Sequence, residues 1–208
     1  MTTETIVPFR LRGGCDTAYY AREPEILVEG PAGTGKTRTI LELLNNLAID
    51  YPGLRAAIVR KTQVSLSSTC LATFNDEVLR LDHNISSQGV SFFGGSADRP
   101  AAYEYPNGSR IVVAGMDNPD KLLSSQYHIA YVNEAIELTV EDWETLTTRV
   151  RPGAAESAIV SKTTGKPFAN WRVIADCNPS HDKHWLNLRC MDGKTRRIKT
   201  RLQDNPAY

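Results

Sequence analysis

No apolar run in the sequence approaches the roughly 20 residues that a membrane-crossing helix requires. The polar start MTTETIVPFR has neither the charged nor the greasy half of a signal peptide, so a cytoplasmic protein is expected. An excess of either charge is also missing: 24 Lys and Arg balance 24 Asp and Glu, which excludes a globally basic nucleic-acid binder. Any DNA contact must therefore be local, and Lys194, Arg196, Arg197, Lys199 and Arg201 are the one evident cluster. The four cysteines, Cys15, Cys70, Cys177 and Cys190, form no C-x-x-C pair, which favours free thiols over a disulfide framework. His181 and His184 fall between Cys177 and Cys190 but lack the paired short spacings of a tetrahedral zinc site. Internal repeats and low-complexity tracts are absent, which excludes solenoids, collagen and coiled coils. What is present is 208 residues, 41% of them hydrophobic, enough to bury the core of one compact domain without staples.

Short continuous apolar segments punctuate the chain: Ile26-Leu27-Val28, Ala56-Ala57-Ile58-Val59, Ile111-Val112-Val113-Ala114, Ile129-Ala130-Tyr131-Val132 and Val173-Ile174-Ala175. Continuous rather than alternating apolarity predicts strands buried on both faces, as in a parallel sheet covered by helices. Helical periods lie between them: Ile40, Leu43, Leu44 and Leu47; then Leu71, Phe74, Val78 and Leu81; then Trp143, Leu146 and Val150, the last capped by Thr139 with Asp142 three residues on. From about residue 90 to 115 the pattern changes. Phe92-Phe93, Tyr103-Glu104-Tyr105 and Arg110-Ile111-Val112-Val113 around Pro106-Asn107-Gly108 predict antiparallel strands at a sheet edge. Residues 152–170 show no period and read as an exposed loop. The class is α/β, a mostly parallel central sheet flanked by helices with an antiparallel edge hairpin.

Gly30-Pro31-Ala32-Gly33-Thr34-Gly35-Lys36-Thr37 is a complete G-x-x-x-x-G-K-[ST], placed after the Ile26–Val28 strand and before a helix that opens at Arg38. The glycines let successive N–H groups point at phosphates, the helix N-terminus adds partial positive charge, and Lys36 reaches the β- and γ-phosphates of ATP. The Thr37 hydroxyl can coordinate Mg²⁺, and Lys36 is expected to stand exposed at the loop. A second strand must then deliver groups for the metal and the attacking water. Ile129-Ala130-Tyr131-Val132-Asn133-Glu134 fits, with Asn133 at the metal position and Glu134 as general base. Asn133 is anomalous there, because an amide oxygen can hold Mg²⁺ but brings no charge.

Beside the phosphate loop stand Val59-Arg60-Lys61-Thr62, Val132-Asn133-Glu134-Ala135, Asp176-Cys177-Asn178-Pro179 leading to His184-Trp185-Leu186, and Asp204-Asn205-Pro206. In order and spacing, from about Glu25 to Tyr208, this set resembles the ATPase domain of the large terminase subunit of tailed bacteriophages. The resemblance implies a P-loop NTPase fold with an extra strand between the phosphate loop and the catalytic-glutamate strand. It also implies an ATP-hydrolysing motor that drives double-stranded DNA into a procapsid, in the cytoplasm of the infected bacterium. Its implied partners are the capsid portal, the small terminase subunit and further copies of itself in a ring, with no membrane. Asn178 falls on the coupling motif that senses the γ-phosphate, although Asn178-Pro179 can equally be a simple turn.

Two departures stand out. Pro31 and Ala32 occupy the phosphate-loop positions where some terminases carry an arginine, so the charge-neutralising cation must come from elsewhere. Arg149 or Arg151, at the end of the third helix, are the choices for a finger supplied to a neighbouring subunit, the alternative being helix-end cations. Arg149 is expected to project away from the Trp143-Leu146-Val150 stripe. The second departure is length: residues 1–208 read as the ATPase domain alone, with no nuclease domain, whether excised or encoded separately. Arg10, Tyr19 and Tyr20 could frame the adenine. Two other readings of the loop remain, a small-molecule P-loop kinase and a nucleotide-gated assembly module without turnover.

Overall fold

The structure, a computed structural model, describes residues 9–67, 69–80, 89–151 and 159–205, Lys121 in its backbone only. Eight strands form one sheet: β1 (Glu25–Glu29), β2 (Arg55–Arg60), β3 (Ser91–Phe93), β4 (Ala101–Glu104), β5 (Arg110–Gly115), β6 (Ile129–Val132), β7 (Arg172–Cys177) and β8 (Arg196–Lys199). Their spatial order is β3-β4-β5-β2-β6-β7-β1-β8. From β5 to β8 every pairing is parallel, while β3, β4 and β5 pair antiparallel at the edge. The hairpin between β4 and β5 turns at Gly108, whose φ of 83° suits a residue without Cβ. β7 lies between β1 and β6, so the extra strand between the phosphate loop and the glutamate strand is present as the resemblance implied.

Alternate residues of each strand feed two cores. Ile26, Val28, Ile58, Tyr131 and Ile174 face α1 (Gly13–Tyr20), α2 (Lys36–Asp50), α3 (Gln63–Ser67) and α4 (Cys70–Thr73). Leu27, Val59, Val132, Val173 and Ala175 face α5 (Asp120–Leu123), α6 (Val140–Thr147) and α7 (Trp185–Met191). Burial on both faces is why these strands read as continuous apolar runs. The Thr139 hydroxyl accepts from Asp142 N at 3.1 Å and the Asp142 carboxylate accepts from Thr139 N at 2.9 Å, so α6 opens on the expected capping box.

Several expectations change. The second helical period is no single helix: α3 and α4 are followed by a π-helical segment, Phe74–Leu79, which stops at Arg80 with φ 52°, and Leu81 lies outside the described residues. Of the expected exposed loop, 152–158 lie outside the described residues. The remainder is pinned: the Ser161 hydroxyl donates to Asp50 at 2.7 Å, the Thr163 hydroxyl does so at 2.6 Å, and Phe168 is buried. The basic cluster near the end is largely β8, whose Ile198 alone points into the core, with Arg196 paired to Glu23 and Arg197 donating to Asn187 at 2.6 Å. Helices α1 and α7 carry no long apolar period and escape a reading by periodicity.

Candidate functional site

Parallel strands deliver their C-terminal ends to one rim of the sheet, where β1, β6 and β7 place their following residues side by side. From β1 the chain enters Gly30–Gly35 and then α2. Gly33 and Gly35 take φ of 80° and 84°, the left-handed region that turns backbone N–H groups inward. Gly30 is required for another reason: a Cβ there would stand 2.1 Å from the Thr200 hydroxyl and 2.5 Å from the Thr200 carbonyl oxygen. The strand end after β8 thus packs directly on the loop. It is tied there by the Thr34–Thr200 hydroxyl pair at 2.9 Å and by Asn205, whose Nδ2 donates to Gly33 O at 2.6 Å.

Lys36 is not exposed. It is 7% accessible, and its Nζ donates to the carbonyl oxygens of Gly30 at 2.7 Å and Pro31 at 2.8 Å. Asn178 Oδ1, just past β7, lies 3.5 Å from the same Nζ. The loop carbonyls therefore hold the ammonium where a phosphate can take it over, with Asn178 alongside.

Thr37 follows on the first turn of α2, and its hydroxyl donates to the carboxylate of Asp176 at 2.6 Å. Asp176 is 1% accessible and accepts three further bonds, from the Tyr131 hydroxyl at 2.8 Å, Asn133 Nδ2 at 3.1 Å and Glu134 N at 2.9 Å. Four donors on one carboxylate satisfy a charge that burial alone would make costly. Asn133 is buried as well. Its nitrogen also donates to the Tyr131 hydroxyl at 3.1 Å, and its Oδ1 has no hydrogen-bond partner among the described residues. Asp176 was legible in the sequence only as part of a motif; the signal was a carboxylate inside a run, Val173–Cys177, that is otherwise apolar.

Glu134 has φ 52°, a left-handed backbone unusual for a side chain with a Cβ, and it is held there by the Asp176 bond to its N–H. Burial and the Asp176 charge push its carboxyl up from the ordinary range, against the pull of Arg60 and Lys36. Thr37, Asn133, Glu134 and Arg60 line one cavity of about 500 Å³, whose far wall is α4 and the π-segment residues Asp76 and Glu77. Arg60 is fixed by Glu137, donating from Nε at 2.9 Å and Nη2 at 2.7 Å.

On the other side of the loop a second cavity, about 550 Å³, is lined by Phe9, Arg10, Thr34, Gly35, Arg38 and Asn205. Arg38 pairs with Glu77 and stacks over the Phe9 ring at 4.9 Å. Arg10 lines this cavity, but Tyr19 and Tyr20 are not among its lining residues. They pack edge to face on each other, Tyr19 accepts from Asn46 at 2.8 Å, and Tyr20 is exposed. Phe9 is the aromatic that sequence reading passed over.

Arg149 and Arg151 are not brought to this rim. α6 ends at Thr147, so Arg149 lies beyond the helix rather than on a free face of it, and its Nε is buried. The Arg149 carbonyl accepts from Tyr127 N at 2.8 Å, and Val150 bridges Tyr127, which precedes β6. Tyr127 and Asn133 are separated by the length of that strand, about 20 Å at the rise of extended chain.

The fold is found in solved proteins. The large terminase of a thermophilic bacteriophage matches with TM-score 0.69 at 12% identity, over 96% of this chain and 48% of that one. The complex of the same phage protein with ADP matches with TM-score 0.66 at 13% identity, over 96% and 47%. Its complex with ATP-gamma-S gives 0.66 at 12%, again over 96% and 47%. At these identities the likeness is one of fold, that of a P-loop NTPase, and the chain spans about half the length of the phage chains it matches. No curated protein matches the chain. The family model described as phage terminase large subunit matches residues 24–206, nearly the whole chain, and this chain belongs to that family.

Proposed function

We propose that residues 1–208 act as the ATP-hydrolysing part of a motor that moves double-stranded viral DNA into a procapsid. The observation that carries the reading is that Thr37 of the phosphate loop and Glu134 at the end of β6 face the same cavity. In this reading the N–H groups of Gly33, Thr34, Gly35, Lys36 and Thr37 cradle the phosphates, Pro31 and Ala32 shape the loop, and Lys36 exchanges its carbonyl partners for β- and γ-phosphate oxygens. Glu134 accepts the proton of the attacking water, and burial with the Asp176 charge, by raising its carboxyl, makes it a stronger base than an ordinary glutamate. In the same reading Asn178 registers the presence of a γ-phosphate and passes it along β7, which its approach to Lys36 at 3.5 Å supports. Arg38 and Phe9 border the cavity where the nucleoside would extend.

The residues present fit Mg²⁺. The donors at the rim are the hydroxyl of Thr37 and the Oδ1 of Asn133, which has no partner among the described residues, with the carboxylate of Asp176 bonded to that hydroxyl behind them, an all-oxygen set suited to a hard cation. Mg²⁺, when bound, neutralises charge on the β- and γ-phosphate oxygens. Family membership supports the wider setting: a homo-oligomeric ring on a portal, recruitment by a small terminase subunit, and action in the cytoplasm of an infected cell.

Phosphate release measured with and without duplex DNA, and across protein concentration, tests the reading. Wild-type turnover that rises with assembly, and Glu134→Gln that binds ATP without hydrolysing it, are expected. Transfer of phosphate to a small acceptor would identify a kinase instead, and ATP binding without turnover a gated module.

A further inference from the structure

Asn133 stands at the end of β6 where the metal of an NTPase needs negative charge, and it brings none. One strand over, Asp176 brings a buried carboxylate to the same rim. Its Oδ2 accepts from the Thr37 hydroxyl at 2.6 Å, and its Oδ1 accepts from Asn133 Nδ2 at 3.1 Å. We infer that the anionic group of the Mg²⁺ seat has moved from β6 to β7, so that Asp176 and not residue 133 supplies its charge. The inference rests on the ATPase reading and names the residue that seats the cation for it.

Three features carry it. First, the hydroxyl that would meet the cation is already oriented by Asp176: with its hydrogen committed to Oδ2, its lone pairs are left for the metal. Second, β6 and β7 are parallel neighbours with Val132 opposite Ala175, so the residues that follow, 133 and 176, reach the rim at the same level and their polar atoms touch. A carboxylate and an amide can exchange places between them with little movement of charge. Third, the orientation of the Asn133 amide is fixed by two acceptors, Asp176 Oδ1 and the Tyr131 hydroxyl, which turns its oxygen into a buried position without a partner among the described residues. A buried amide oxygen left bare is costly, and a cation or its water would satisfy it. Asp176 is a positioning residue: it acts on Thr37 and on the field at the rim. Its bond to Glu134 N also couples the seat to the backbone that aims the general base.

Restoring aspartate at 133 is therefore no simple repair. In Asn133→Asp two carboxylates face each other where an amide hydrogen now stands, so this variant alone is expected to lose stability in EDTA.

The test is the Mg²⁺ concentration that half-saturates the metal-dependent gain in ADP affinity, measured by calorimetry, with Mn²⁺ and its paramagnetic spectrum as a second readout. Asp176→Asn is expected to raise that concentration by roughly 10- to 100-fold, the usual effect of losing a group that orients a metal ligand. ADP binding in EDTA serves as the check that the loop is folded. Unchanged Mg²⁺ half-saturation in folded Asp176→Asn overturns the inference. Should that variant fail to fold, the swap Asn133→Asp with Asp176→Asn decides, since it keeps one carboxylate and one amide in the same volume. Half-saturation within about threefold of wild type, or weaker, supports a seat whose charge comes from Asp176. Half-saturation clearly tighter than wild type overturns it, because position 133 would then set the affinity alone. A wild-type chain whose ADP binding ignores Mg²⁺ fails at an earlier step, and takes the ATPase reading with it.

Discussion

The Lys36 ammonium has two tasks. Buried and bonded to two carbonyl oxygens of its own loop, it holds the loop closed and, in the function proposed, also carries the charge for phosphate. Lys36→Ala is thus expected to abolish ADP binding and also to cost about 2 kcal/mol, the scale of hydrogen bonds to a charged group. For a chain of this size that lowers Tm by about 4–8 °C, readable by thermal denaturation; an unchanged Tm would show that the ammonium contributes nothing to the fold. Glu134 carries the opposite sign. Its carboxyl is pushed up by burial and by Asp176, so as pH rises the unfolded chain ionises before the folded one does. The folded state then binds more protons, and the stability it loses develops above the ordinary carboxylate range, near 4.3, and is complete once the raised pKa is passed. Glu134→Gln should therefore be more stable than wild type to urea at pH 7.5, with the difference closing below about pH 4. Hydrolysis by the wild type should fall, on acidification, at a pH above that of an ordinary glutamate. Equal stability of the two proteins at pH 7.5 would remove the claim that the site strains this carboxyl.

Among the elements, β8 has the most consequence for its size. It is a four-residue edge strand, yet the chain that leaves it packs Thr200 and Asn205 on the phosphate loop. Gly30→Ala should push that chain away, because its Cβ meets both the hydroxyl and the backbone carbonyl of Thr200. The expected cost is about 1–3 kcal/mol, as for other overpacked sites, with ADP affinity lowered in parallel. Adding Thr200→Ala should not relieve it, since the carbonyl remains; full rescue by that second change would show the hydroxyl to be the whole obstacle. The same strand explains what the sequence concealed. β1, β2, β6 and β7 announce themselves because both faces are buried, whereas Arg196-Arg197-Ile198-Lys199 sends one apolar side chain inward and looks like a charge cluster. The phosphate loop was legible outright, since its chemistry is local and contiguous. The contacts of Asp176, Phe9 and Arg60 were not, since each matters through neighbours far along the chain: Thr37 and Asn133, Arg38, and Glu137 respectively. The π segment is likewise invisible to a 3.6-residue period, which runs through Leu71, Phe74 and Val78 without registering the change in pitch.

At the scale of the molecule, the groups proposed for phosphate chemistry lie on one rim of the sheet, and Arg149 and Arg151 lie toward the other. Neither reaches its own chain's site without crossing about 20 Å. If either neutralises charge developing on a γ-phosphate, it does so in a neighbouring subunit. Such a finger makes turnover a property of the assembly, since stabilisation that exists only in the transition state lowers rate without touching ground-state affinity when it is lost. Alanine at the true position should leave ATP affinity of the isolated chain intact and reduce turnover by on the order of 10³-fold or more, the scale of arginine fingers in other phosphoryl-transfer enzymes. Arg149→Ala needs a thermal-stability control, because its Nε is buried; Arg151 is exposed and needs none. Mixing the finger variant with Glu134→Gln is then the deciding measurement. A mixed ring contains sites that pair an intact glutamate from one subunit with an intact arginine from the next, so activity should return although neither variant is active alone. No recovery on mixing, together with wild-type turnover independent of concentration, would falsify the trans-acting role and leave both arginines as cations beside Tyr127.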